Sequence, residues 1–195
     1  MKPKRMKARD KIRTLDEIAR IARRARAAGR TVVTTNGCFD LLHVGHIRNL
    51  EAAKARGDLL IVGVNSDASV RTYKEPMRPV VPARERAEVL AALAAVDYVF
   101  TFNDTVPNRW LRKLRPNIHV KGSDRALADI VERHVVADIG GKLVLLPVFK
   151  GHSTTALIAR IRRSARAGVP APSPGNRSSR TPRSRARYRT PARNR

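Results

Sequence analysis

Apolar residues recur along this chain in two alternating rhythms. Short strand-like runs occupy 31–35, 59–64 (Leu-Leu-Ile-Val-Gly-Val), 97–102, 117–121 and 142–146. Between them, apolar positions fall three and four apart over 44–56, 83–95, 106–114 and 126–137, with a last such stretch at 153–164. The first rhythm reads as strand and the second as helix. Ahead of the first strand, Thr14-Leu15-Asp16-Glu17 has the form of a capping box. Ile18, Ile21, Ala22 and Ala25 then repeat at helical spacing, and Gly29 supplies a stop. Strands that alternate with helices predict a parallel sheet covered on both faces, and the unbroken apolar run at 59–64 fits a strand buried on both sides. Right-handed crossovers make the expected fold a Rossmann-like, doubly wound five-stranded α/β sandwich in a single domain.

Composition changes this picture only at the ends. The net charge is +25, yet residues 1–30 hold 12 Lys/Arg against 3 acids, and residues 161–195 hold 11 Arg against none. The interval 31–160 is close to balanced, with 18 basic and 13 acidic residues. Residues 1–13 therefore read as a patternless, mobile basic leader and 14–164 as the domain, with its motifs inside 31–160. The Arg/Pro/Ser-rich segment 165–195 has too few aliphatic residues to offset its ordering entropy, so a disordered basic tail is expected. Such ends would bind nucleic acid through counterion release if that were their task. The alternative is a solvated tail in a chain whose whole composition leans to Arg, Ala and Pro, and nucleic-acid binding is not expected as the main function. The single Cys38 excludes an intrachain disulfide. No apolar run approaches the roughly 18 residues of a membrane span, and no hydrophobic segment follows the basic N-terminus as in a secretory signal. A cytoplasmic location is expected.

The candidate chemistry lies at the carboxyl ends of the expected strands, where open α/β sheets bind ligands. The first strand runs into Asn36-Gly37-Cys38-Phe39-Asp40-Leu41-Leu42-His43-Val44-Gly45-His46. His43 and His46 are three apart at the opening of a helix, so both can point at one ligand, and the free N–H groups of that turn suit phosphate. Lys121-Gly122-Ser123-Asp124 ends the fourth strand, and Gly151-His152-Ser153-Thr154-Thr155 opens the last helix. The last segment joins a turn glycine, hydroxyls near an N-cap and the positive end of a helix dipole. Two such turns side by side can hold a triphosphate. Asn65 falls at the same edge.

The run Gly-x-Phe-Asp-x-x-His-x-Gly-His, with the distal Gly-x-Ser-Thr-Thr, resembles the cytidylyltransferase-like nucleotidyltransferase superfamily. Within it, residues 31–160 are most similar to the D-glycero-β-D-manno-heptose 1-phosphate adenylyltransferases of lipopolysaccharide precursor synthesis. Supporting stretches are Val64–Val70, Arg78-Pro79-Val80, Leu90–Asp97 and Val120-Lys121-Gly122. The resemblance implies in-line attack by a sugar 1-phosphate on the α-phosphorus of ATP, with Mg²⁺ accompanying the nucleotide. It implies His43, His46 and Lys121 as the catalytic groups. Asn36, Gly37, Cys38, Phe39, Asp40, Gly45, Asn65, Asp97, Gly151, Ser153, Thr154 and Thr155 would meet the nucleotide and its phosphates. Arg78, Gly122 and Asp124 would lie toward the acceptor. No side chain is assigned as a metal ligand, although Asp40 would either orient the turn or assist the metal. A homodimer is common in that family, and the heptose enzymes are often fused to a sugar kinase. No kinase-like segment appears here, so a separate upstream kinase is expected.

Several residues carry a plain reading beside the sharp one. Asp97 can simply open a strand, Lys121 can be a solvated strand end, Ser153–Thr155 can be only a cap, and Cys38 packs as a small apolar residue. His119 and His134 read as structural or exposed, and His152 is given no role. Arg125 departs from the aromatic usual in the heptose enzymes. Val148 replaces an arginine usual in glycerol-phosphate and choline-phosphate enzymes, which favours adenylyl over cytidylyl transfer. The competing readings are a cytidylyl- or adenylyltransferase for another phosphorylated acceptor, such as glycerol 3-phosphate, and a nucleic-acid-binding protein.

Overall fold

The computed structural model describes residues 6–123, 130–147 and 151–166. In chain order the elements are α1 (Ala8–Lys11), α2 (Leu15–Ala27), β1 (Val32–Gly37), α3 (Val44–Lys54), β2 (Leu59–Asn65), α4 (Asp67–Arg71), α5 (Ala83–Ala92), β3 (Tyr98–Phe102), α6 (Asn108–Leu114), β4 (Ile118–Gly122), α7 (Arg133–Asp138), β5 (Lys142–Leu146) and α8 (Thr154–Arg166). The five strands form one sheet in the order β3-β2-β1-β4-β5. Every pairing is parallel, with Val33 opposite both Leu60 and Ile118.

Period-2 alternation sorts the strand side chains onto two cores. Val32, Leu59, Ile61 and Phe100 face α2, α6 and α7, where Ile18, Ala22, Trp110, Leu114 and Val136 meet them. Val33, Leu60, Val62, Val64 and Val99 face α3 and α5 through Leu50, Ala53, Leu90 and Ala91. Every residue of β2 is buried, as its continuous apolar run requires.

The capping box forms as the sequence suggests. Thr14 N donates to Glu17 Oε2 at 2.9 Å, and Glu17 N donates to Thr14 Oγ1 at 3.3 Å. The leader is not patternless throughout. Residues 8–11 make one helical turn, Ile12 bridges to Val99, and Arg13 N donates to Val99 O at 3.0 Å. Lys11 also donates to the carbonyls of Leu93 and Val96, at the end of α5. The basic segment thus covers the open edge of β3, a physical use that hydropathy alone does not reveal. Helix α4 was not expected; Ser66 caps it by accepting from Ser69 N at 3.1 Å. Of the stretch expected as helix over 126–137, the described part is helical from Arg133. At the C-terminus α8 runs two residues past the expected limit, and residues 167–195 lie outside the described set.

Trp110 is wholly buried on one face, with ring centroids 5.2 Å from Phe100, 5.7 Å from Phe102 and 5.7 Å from His119. Replacing so large a core side chain by Ala typically costs about 3–5 kcal/mol. Trp110→Ala should lower the urea unfolding free energy by about that amount, and a loss under about 1 kcal/mol would show that this face is not a close-packed core.

Candidate functional site

A cleft of about 830 Å³ opens at the carboxyl ends of β1 and β4. This is where the strand order reverses, so the helices after the two strands leave on opposite faces and a crevice remains. Its walls include Asn36–Asp40, His43, Gly45, His46, Asn65, Lys121, Gly122 and His152–Thr155. The fold therefore gathers the three segments singled out in the sequence. Gly151 precedes them at φ +81°, a conformation that turns the chain into α8 and suits glycine. Arg78 and Thr155 also line a smaller adjoining cavity of about 290 Å³. Asp97 does not belong to the site. It precedes β3 at the opposite edge of the sheet, where its Oδ2 accepts from Lys54 Nζ at 2.6 Å and from Leu60 N at 2.7 Å. Its task is to tie β2, β3 and the end of α3 together. Asp124, like Arg125 and Val148, lies outside the described residues.

The first wall is the β1–α3 turn. Phe39 adopts φ +49°, a left-handed conformation costly for an aromatic residue, and its ring is buried. A Cβ on Gly37 would come within 3.2 Å of that ring. His43 is the N-cap of α3. The His43 and His46 rings stack with centroids 3.9 Å apart, and Phe39 closes on His46 at 5.5 Å. His46 Nδ1 accepts the His43 backbone N–H at 3.4 Å. A neutral ring so held carries its proton on Nε2, where it can donate. Burial, reinforced by His43, pushes the His46 pKa down to about 4. Burial and then His152 also push His43 below its ordinary value. Both imidazoles are thus neutral near pH 7. A Cβ on Gly45 would sit 3.0 Å from His43 Nδ1, so any larger residue there would press on the His43 ring.

The turn is anchored from behind. Asp40 is buried, with Oδ2 accepting from Arg78 Nε at 2.5 Å and Oδ1 from Val80 N and Val81 N at 2.8 and 2.9 Å. Burial alone would raise its pKa. The Val81 and Val80 amides and the Arg78 guanidinium outweigh that and hold the carboxyl below its usual range. So Asp40 orients the turn, and neither a base nor a free metal ligand remains there. Arg78 commits its Nε to that bond and still lines the cleft. Arg86 in α5 has no exposed side-chain surface, and its guanidinium reaches four groups. It donates to Val81 O at 2.8 Å, Asn65 O at 2.9 Å, Asp67 Oδ1 at 2.6 Å, and Cys38 O. One side chain thereby joins the ends of β1 and β2 to the 78–82 loop. Asn65 turns its amide to Ser69 Oγ at 3.1 Å, and Ser69 Oγ donates to Asp104 O at 3.1 Å.

The opposite wall is the start of α8. Ser153 Oγ accepts from Ala156 N at 3.1 Å, which leaves its hydroxyl proton free to donate. Thr154 Oγ1 donates to Leu41 O at 3.1 Å, latching α8 onto the first turn. Between the walls, Lys121 Nζ lies 3.4 Å from Asn36 Oδ1 and 2.8 Å from Glu132 Oε1. Lys121 is therefore an ion-paired group at the cleft rim, not a solvated strand end.

Sequence reasoning missed Arg86, Glu132 and His152. Arg86 carried a signal, since it stands four residues before Leu90 on the apolar face of α5, where a charge needs partners. His152 lies against Gly45, with its Cβ 3.4 Å from where a Gly45 Cβ would stand, and lines the cleft beside His43. Among the described residues no group of three or more His, Cys, Asp or Glu is placed to hold a metal ion. The described carboxylates on the cleft are committed, Asp40 to Arg78 and Glu132 to Lys121, so among the described residues the donor set fits no protein-held cation. None of the described helices is long and apolar enough to cross a membrane.

The acid limb of stability follows from the histidines. His46 takes up a proton near pH 4 when folded but near its ordinary 6.5 when unfolded. Its contribution is complete above about 6.5 and is lost as pH falls toward 4. His43 and the buried His119, both shifted downward, act in the same sense. The urea midpoint should fall between pH 7 and pH 4.5, and His46→Gln should make that fall shallower. An unchanged slope in the variant would contradict a buried, neutral His46.

The sequence profile of the cytidylyltransferase-like family matches residues 34–159. Bifunctional protein HldE of Streptomyces coelicolor is 50% identical over 151 residues, 77% of this chain and 33% of that protein. HldE of Geobacter sulfurreducens is 46% identical over 154 residues, 79% of this chain and 31% of that protein. The chain spans about a third of the length of these relatives. Among solved structures, a lipopolysaccharide core biosynthesis protein from Thermoplasma volcanium superposes with a TM-score of 0.54 at 24% identity, covering 64% of this chain and all of that one. Pantoate-β-alanine ligase from Francisella tularensis gives 0.53 at 15% identity, over 77% of this chain and 76% of that one. These two likenesses establish the fold alone. The chain belongs to the cytidylyltransferase-like family and is a nucleotidyltransferase.

Proposed function

We propose that the protein transfers AMP from ATP to a sugar 1-phosphate, D-glycero-β-D-manno-heptose 1-phosphate, and releases pyrophosphate. The observation that carries the reading is two helix starts, α3 with His43 and His46 and α8 with Ser153 and Thr154, facing one cleft with Lys121 between them. The choice of heptose rests on the resemblance across residues 31–160. Bifunctional HldE relatives support it.

In the reaction an acceptor phosphate oxygen forms a bond to the α-phosphorus as the bond to the bridging β-oxygen breaks, and pyrophosphate leaves with that electron pair. No proton need be removed from an ionised phosphate, which agrees with a cleft whose carboxylates are already paired. The chain's own contribution is positioning and electrostatic stabilisation. His46 Nε2–H and the His43 ring donate to the α-phosphoryl oxygens, where charge accumulates. The N–H groups of the 37–39 turn and of the α8 start, with the Ser153 hydroxyl, hold the remaining phosphates. Mg²⁺ enters as part of the nucleotide substrate and screens its charge, as is usual for a cation bound mainly through phosphate oxygens and water.

Purified protein given ATP, Mg²⁺ and this heptose 1-phosphate should release pyrophosphate. Release with glycerol 3-phosphate and CTP, but none with the heptose substrate, would overturn the substrate assignment. His43→Ala and His46→Ala should each lower kcat by about 10²-fold or more, the scale of a lost transition-state donor. The urea midpoint should move comparatively little, and full activity in both variants would contradict the mechanism.

A further inference from the structure

Lys121 enters the cleft already paired, and its partner is Glu132. This carboxylate immediately precedes α7, has a side chain only 6% exposed, and lines the cleft. Its Oε1 meets Lys121 Nζ at 2.8 Å as an ion pair. The same oxygen faces His119, wholly buried on β4, with Nε2 at 3.7 Å. His119 Nδ1 lies 2.9 Å from Thr34 Oγ1 on β1. The Thr34 hydroxyl also lies 3.5 Å from Ile118 O, and His119 Nε2 faces Glu132. A row therefore runs from inside the sheet to the cleft, through Thr34, His119, Glu132, Lys121 and Asn36.

A buried carboxylate is a poor device for stability alone, because a well-packed apolar side chain of similar size commonly does as well or better. Here it neutralises the charge that would otherwise draw a triphosphate from a distance. What the pair offers instead is direction, since a lysine has a long, rotamer-rich stem and a point charge that wanders unless it is tied. Resting on the nucleotidyl-transfer reading, we propose that Glu132 is a positioning residue: with Asn36 it fixes the Lys121 ammonium where it meets the phosphoryl group in the transition state, at the expense of ground-state attraction for the nucleotide.

The test is a double-mutant cycle on kcat and on KM for MgATP, using wild type, Glu132→Gln, Lys121→Met and the double variant. Glu132→Gln should lower kcat tenfold or more while KM stays equal or falls. In the Lys121→Met background the same change should alter kcat less than twofold, because nothing remains to position. An equal loss of kcat in both backgrounds, or a raised KM with kcat unchanged, would overturn the proposal and leave Glu132 a structural group. If Gln impairs folding, Glu132→Asp carries the same comparison, keeping the charge but shortening its reach. Calorimetric binding of MgATP to wild type reads the underlying assignment separately. A wild-type protein that does not bind MgATP defeats the nucleotide site itself, whereas additive losses in a protein that binds it defeat only the role of Glu132.

Discussion

The buried guanidinium of Arg86 is the constraint on which the rest of the site depends. Three backbone carbonyls, at Cys38, Asn65 and Val81, point inward from separate chain segments and need donors. Arg86 satisfies all three and balances its charge on Asp67. Asp67 in turn accepts from Ala83 N at 2.9 Å, at the start of the helix that carries Arg86. A planar fork of donors can serve such a divergent set, and a lysine cannot. The Asp40–Arg78 pair repeats the arrangement on the outer side of the same turn. Together they let Phe39 remain in a left-handed conformation that its own preferences disfavour.

With the turn fixed from behind, the donors it presents to the cleft are themselves uncharged: two imidazoles and backbone N–H groups. The cleft offers neutral imidazoles, hydroxyls, backbone N–H groups and a lysine balanced by Glu132, with Lys74 and Arg78 also on its lining. Such a surface does not gain by holding a highly charged nucleotide tightly in the ground state. Its donors are arranged beforehand around the phosphoryl group, so little reorganisation is needed when charge shifts in the reaction.

Much of this was legible from residue pattern. The alternation of strand and helix, the capping box at Thr14, and the gathering of His43, His46, Lys121 and Ser153–Thr155 at one edge all follow from local periodicity and topology. Asp97 was misplaced because it lies in a segment resembling the family, yet it precedes its strand, and only strand direction places it at the far edge. Arg86 and Glu132 escaped because their importance is a matter of burial and of partners distant in sequence. Arg86 is 48 residues from Cys38, and only the packed fold brings them together. Residues 8–13 escaped for a related reason: their pairing with Val99 uses backbone groups, which hydropathy does not see.

The central claim is that one preassembled phosphate cleft exists because Arg86 holds its parts together. Calorimetric affinity for MgATP in Arg86→Lys, set against wild type in protein confirmed to be folded, tests it most directly. The account predicts binding weakened tenfold or more with the positive charge retained, because the fork to Cys38, Asn65 and Val81 is lost. Wild-type affinity in that variant would contradict it.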